Sequence, residues 1–216
     1  PISHLDAKIR AELRLQFHTL EALREVCTVY VTHDYAEALS LGDRIGVMGN
    51  GGLVQIGTAH EIFEKPNSLF VAQHLGQPGM NILQTELIKE KGQAFAACGQ
   101  LKLPLHASHL QYLEQKNILK CNLGIRPQHL RVPGEDEKLQ DQEFEMEGRV
   151  EVFEALGAYG VMEVQLEGEK ITFLTGSDDK FNSGDKITVR MQPKCSLLYT
   201  SPSPRDRTRY RMPASA

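Results

Sequence analysis

At Gly76-Gln77-Pro78-Gly79 the chain changes its hydrophobic rhythm, and no single packing scheme accommodates both halves. Before this point, apolar residues recur at helical spacing and alternate with one β-branched run. After it, short strands follow one another, separated by Gly, Pro, Asn or Asp, the pattern of a small barrel or sandwich. We therefore place a domain boundary there, giving a first domain of residues 1–77 and a second of 78–196. A length of 216 residues is enough for two small cores.

In the first domain, Ile9, Leu13, Phe17, Leu20 and Leu23 form a stripe along one side of a helix expected over 6–24. Thr28-Val29-Tyr30-Val31-Thr32 is rich in β-branched and aromatic residues and reads as a buried strand that delivers His33 at its C-terminal end. Ligands in open α/β sheets collect at that end. Asp34 is placed to cap a short helix, with Glu37 three residues on in the capping-box position and Gly42 ending it. Residues 44–48 and 53–56 flank Gly49-Asn50-Gly51-Gly52 and predict a two-stranded ribbon. Thr58-x-x-Glu61 starts another helix, and Phe63, Phe70, Val71 and Leu75 around Pro66 predict two short packed helices. Alternating sheet and helix reads as α/β.

The second half predicts strands at 82–88, 94–97, 122–125, 145–153, 160–166, 170–175 and 186–191, with 134–142 a polar, mobile loop. Lys plus Arg number 24 and Asp plus Glu 28, so the net charge of −4 gives no electrostatic reason to expect a nucleic-acid partner. Cys27, Cys98, Cys121 and Cys195 have no ligand spacing, which supports neither a disulfide framework nor a zinc site and fits a reducing cytosol. No apolar run approaches the ~18 residues that cross a bilayer, so no direct membrane insertion is expected.

Ser3-His4-Leu5-Asp6-Ala7, an amphipathic helix, and then Val31-Thr32-His33-Asp34 with Glu37-Ala38 stand in the order and spacing of ABC-transporter ATPases, and the chain resembles the C-terminal third of such a domain. The resemblance implies a partial P-loop NTPase of α/β class. Ser3, Leu5 and Asp6 match its D-loop, which crosses to the partner's phosphate loop in a head-to-tail dimer, and His33 matches its switch histidine, which reaches the γ-phosphate of ATP. Asp6 also has a plain structural role open to it, since an acid in a helix's first turn favours the helix dipole. His4 stands where importers commonly have Asn.

Gly76 to Leu83 resembles the junction between ATPase and regulatory domains in importer ATPases of the maltose type, and Gly124-Ile125-Arg126-Pro127-Gln128-His129-Leu130 resembles a segment of their C-terminal TOBE domain, an all-β OB-like barrel. Gln128 replaces the usual Glu. Arg126, His129 and Arg131 read as a strand end and turn braced by polar side chains. The sequence contains no G-x-x-x-x-G-K-[ST] phosphate loop and no Leu-Ser-Gly-Gly-Gln signature. The family's general-base glutamate directly precedes the residue matching Pro1.

The resemblance thus implies the C-terminal fragment of an ATP-binding subunit that energises an ABC importer for a sugar or related solute and is inactive alone. The implied parent uses ATP and Mg2+, forms a homodimer or related heterodimer, and sits in the cytoplasm against transmembrane permease subunits. The alternative is a small-anion or regulatory-protein binding module acting through the barrel. Leu197-Leu198-Tyr199-Thr200-Ser201-Pro202-Ser203-Pro204-Arg205-Asp206 resembles a translated sequencing adapter, so 197–216 is expected to be a non-native, disordered tail.

Overall fold

The structure is a computed structural model that describes residues 16, 26–49, 51–90, 92–134, 137–140 and 142–200. They fall into two compact units, one ending at Gly76 and the other beginning at Gln77. The helix expected over 6–24 and the residues Ser3, Leu5 and Asp6 lie outside the described residues, apart from Gln16, which is helical. The tail from 201 onward also lies outside them.

In the first unit, helix α1 (Tyr35–Leu41) starts at Asp34, whose carboxylate accepts from the N–H groups of Ala36 and Glu37, and closes on the Gly42 N–H donating to the Ala38 carbonyl. Strands β1 (Ile45–Gly49) and β2 (Gly52–Gly57) form the antiparallel ribbon, turning through Gly51 at a φ of 78°. Helix α2 (Ala59–Glu64) opens with a complete capping box: the Thr58 hydroxyl accepts from the Glu61 N–H and the Glu61 carboxylate accepts from the Thr58 N–H. Helix α3 (Leu69–His74) follows, capped by Ser68. Ile45, Ile62, Val71 and Leu75 form the buried centre, with Leu39, Val54, Phe63 and Phe70 packed against it. Ribbon and helix pack tightly at Gly49, because a Cβ there would lie 2.6 Å from the Phe70 ring.

The expected strand at 28–32 is a correction. Residues 27–32 form no ladder, and Val29 and Val31 are 84% and 80% exposed. A β-branched run becomes a strand only when neighbouring strands take its N–H and C=O groups, and among the described residues none lies beside it. The first unit accordingly shows an antiparallel ribbon and short helices, with no parallel sheet among the described residues.

Among the described residues the second unit is all-β apart from one helix and two 3-10 turns. Strands β3 (Asn81–Glu90), β4 (Gln93–Cys98), β5 (Leu101–Pro104), β6 (Lys120–Ile125) and β12 (Ser196–Tyr199) make one antiparallel sheet in the order β12-β6-β3-β4-β5. Strands β7 (Leu130–Arg131), β8 (Phe144–Ala155), β9 (Gly160–Leu166), β10 (Glu169–Thr175) and β11 (Lys186–Met191) make the other, in the order β10-β9-β8-β11-β7. Helix α4 (Ala107–Gln115) joins β5 to β6 and buries Leu113. Leu83, Leu103, Leu123 and Ile125 of one sheet and Val150, Met162, Val164, Phe173 and Val189 of the other form a single core.

Two crossovers stitch the sheets. The chain passes from β6 to β7 through a 3-10 turn, Pro127–His129, and from β11 back to β12 through a second, Pro193–Cys195. The strands on either side pair: Leu130 with Met191, and Ile125 with Ser196. His129 Nδ1 meets the Cys195 carbonyl at 3.1 Å, so the turns are also bonded to each other.

Strand β12 corrects a second expectation. Leu197 to Tyr199, assigned to the tail, pair with Asn122 to Gly124, and Tyr199 is buried. Thr200 is buried too.

Candidate functional site

His33 sits on the exposed linker between the extended run and α1, and its imidazole has no hydrogen-bond partner among the described residues. The groups on either side of it are fixed. Thr32 Oγ1 accepts from the Asp34 N–H at 3.0 Å, spanning His33 with a local bond. Asp34 is committed to the first turn of α1, with Oδ1 at 2.8 Å from the Ala36 nitrogen and 3.2 Å from the Glu37 nitrogen.

Glu37 does not close a capping box. Its side chain is fully buried, and Oε2 accepts from the Thr32 hydroxyl at 2.7 Å and from the Tyr30 hydroxyl at 3.0 Å. The sequence showed Glu37 as a capping residue because it lies three positions after Asp34; the competing signal was the pair of hydroxyls five and seven residues upstream, whose reach depends on a bend at His33. The arrangement leaves an imidazole facing solvent from a backbone tied down on both flanks. Such a group can donate a hydrogen bond to an anionic oxygen brought against it.

Of the residues expected at a nucleotide site, the structure therefore places His33 and leaves Ser3, Leu5 and Asp6 outside the described residues. The described residues fit one contact to a phosphate. Beside His33, Asp34 Oδ1 is committed to the helix cap. Among the described residues no group of three or more His, Cys, Asp or Glu is arranged to hold a metal ion. No described helix is long and apolar enough to cross a membrane.

In the second unit, Arg126, His129 and Arg131 brace the fold. Arg126 is buried at the head of the first 3-10 turn. Arg131 binds Glu137 at 2.7 Å and Glu143 at 2.7 Å, while Arg190 binds Glu145 through Nε at 2.7 Å and donates to the backbone carbonyls of Glu137 and Lys138. The segment expected to be a mobile loop is thus anchored at Glu137 by two arginines. The Arg131 guanidinium and then the Gly134 N–H pull the Glu137 carboxyl down to about 2, and Arg131 likewise lowers Glu143. In return these carboxylates raise the Arg131 guanidinium above its ordinary value.

Residues 123–198 match the family model described as the TOBE domain. That match runs from β6 through Leu198 of β12 and takes in both crossovers. The ABC transporter ATP-binding protein YurJ of Bacillus subtilis (strain 168) is 31% identical over 194 residues, covering 89% of this chain and 52% of that protein. Over most of its length the chain is similar to ABC-transporter ATP-binding proteins. The sn-glycerol-3-phosphate import ATP-binding protein UgpC of Escherichia coli (strain K12) is 42% identical over 137 residues, 63% of this chain and 37% of that relative. The chain therefore spans about half the length of one ABC relative and less of the other. A solved structure of the cytoplasmic molybdate-binding protein ModG covers 55% of this chain and 94% of its own at 12% identity and a TM-score of 0.39. At that similarity it carries no argument about this chain.

Proposed function

We propose that the chain works as part of the ATP-hydrolysing subunit of an ABC importer, with His33 contacting the γ-phosphate of bound ATP. The observation that supports this reading is the exposed imidazole between two anchored residues, in a chain whose relatives are named as ATP-binding proteins of transporters. A donor held in place before the reaction costs little reorganisation when charge shifts during phosphoryl transfer. His33 supplies that donor; the backbone cradle, the lysine and the Mg2+ ligands that grip a triphosphate come from elsewhere in the working subunit. In this reading, Ser3, Leu5 and Asp6 form the loop that communicates with a second ATP-binding subunit. The subunits dock on transmembrane permease subunits at the cytoplasmic face of the membrane.

The imported solute is proposed to be a sugar or a related small polyol derivative. A relative named for sn-glycerol-3-phosphate import, at 42% identity, supports that class. The barrel unit would serve regulation and contact between subunits. Cloning the coding sequence upstream of Pro1 and comparing the longer protein with residues 1–216 tests the proposal. The longer protein is expected to bind and hydrolyse ATP, and the 216-residue chain to show no hydrolysis above background. A longer protein that fails to bind ATP, or hydrolysis by the 216 residues alone, would sink it.

A further inference from the structure

We propose that Glu37 is the positioning residue for His33: its buried carboxylate holds, through Thr32 and Tyr30, the backbone that aims the imidazole. The inference rests on the assignment of His33 to the γ-phosphate and deepens it. Among the described residues, side-chain hydrogen bonds tie the chain entering His33 to α1. Three bonds do this. Tyr30 and Thr32 both donate to Glu37 Oε2, and the Thr32 hydroxyl simultaneously accepts from the Asp34 N–H. The Thr32 hydroxyl is thus a relay: its proton goes to Glu37 and its lone pair to the backbone on the far side of His33. Because α1 carries Glu37 and Asp34 caps the same helix, the helix and the extended run are locked together with His33 at the vertex. The acceptor is fully buried, where a hydrogen bond is electrostatically stronger than in water.

The group that would touch phosphate is His33 alone; Glu37 acts through it. Loss of the anchor should therefore leave nucleotide binding intact and slow turnover, because a misplaced catalytic group costs about a hundredfold for an ångström of displacement. The experiment uses the full-length ATP-competent subunit with Glu37→Leu, Thr32→Val, Thr32→Ser and Tyr30→Phe, alone and combined with His33→Ala. Thr32→Val and Glu37→Leu should lower kcat by about tenfold or more with the KM for ATP within about twofold, Thr32→Ser should restore kcat, and neither change should lower turnover further once His33 is Ala. Tyr30→Phe removes one oxygen and serves if Glu37→Leu fails to fold; it should lower kcat by a smaller factor. If His33→Ala leaves turnover unchanged, the phosphate assignment itself falls. If His33→Ala abolishes turnover while Thr32→Val and Tyr30→Phe keep normal kcat, only the positioning role falls.

Discussion

The side-chain amide of Asn81 pairs with the backbone of Thr172 as a neighbouring strand would: Nδ2 donates to the Thr172 carbonyl at 2.7 Å and Oδ1 accepts from the Thr172 N–H at 2.8 Å. Thr172 lies on β10, an end strand of its sheet, and Asn81 opens β3 of the other sheet. The same amide nitrogen reaches the Ile125 carbonyl at 3.2 Å, beside the first crossover. One side chain therefore satisfies an edge that would otherwise present unpaired groups to solvent. Replacing Asn81 by Ala should destabilise the barrel unit by about 1–3 kcal/mol, since half-buried backbone groups lose their partners. Urea unfolding checks this; an unchanged midpoint would mean water replaces the amide at no cost.

A second expectation concerns acid. The folded carboxyls of Glu137 and Glu143 lie below their ordinary value of 4.5, Glu137 at about 2. A depressed folded value contributes stability that is present above the unfolded value and lost as pH falls through the folded one. Thermal stability should therefore drop between about pH 4.5 and 2 and vary less there in Glu137→Gln. Melting curves across that window, with an identical pH dependence in the variant, would remove Glu137 from the account.

Gly148 in β8 offers a packing test. A Cβ there would lie 2.5 Å from both Leu166 Cδ2 and Val164 Cγ1, which belong to the core. Gly148→Ala should cost about 1–3 kcal/mol through overpacking. A variant as stable as the parent chain would show that β9 can retreat from β8.

The strands of the barrel were legible where alternation is local. β9 runs buried, intermediate, buried along its whole length, and its limits and those of β11 coincide with the sequence pattern. β5, β7 and β12 were not read, because two to four residues carry too little pattern, and the partner of β12 is far away in sequence: Leu198 pairs with Leu123 on the neighbouring strand. In β8, alternation would place Val152 inward with Val150. A bulge between those residues resets the register, leaving Val152 exposed while Phe153 packs on the core. The 28–32 run failed for the opposite reason, since its composition signals a strand but a strand is a property of its neighbours. At the site, His33 was legible as a chemical group, whereas the Tyr30, Thr32 and Glu37 anchor depends on a bend that spacing does not show.

ATP turnover by the full-length subunit, compared with its His33→Ala form under saturating nucleotide, tests the central claim most directly. The account predicts near-complete loss of hydrolysis with nucleotide binding retained. Turnover equal to that of the unaltered subunit would contradict it.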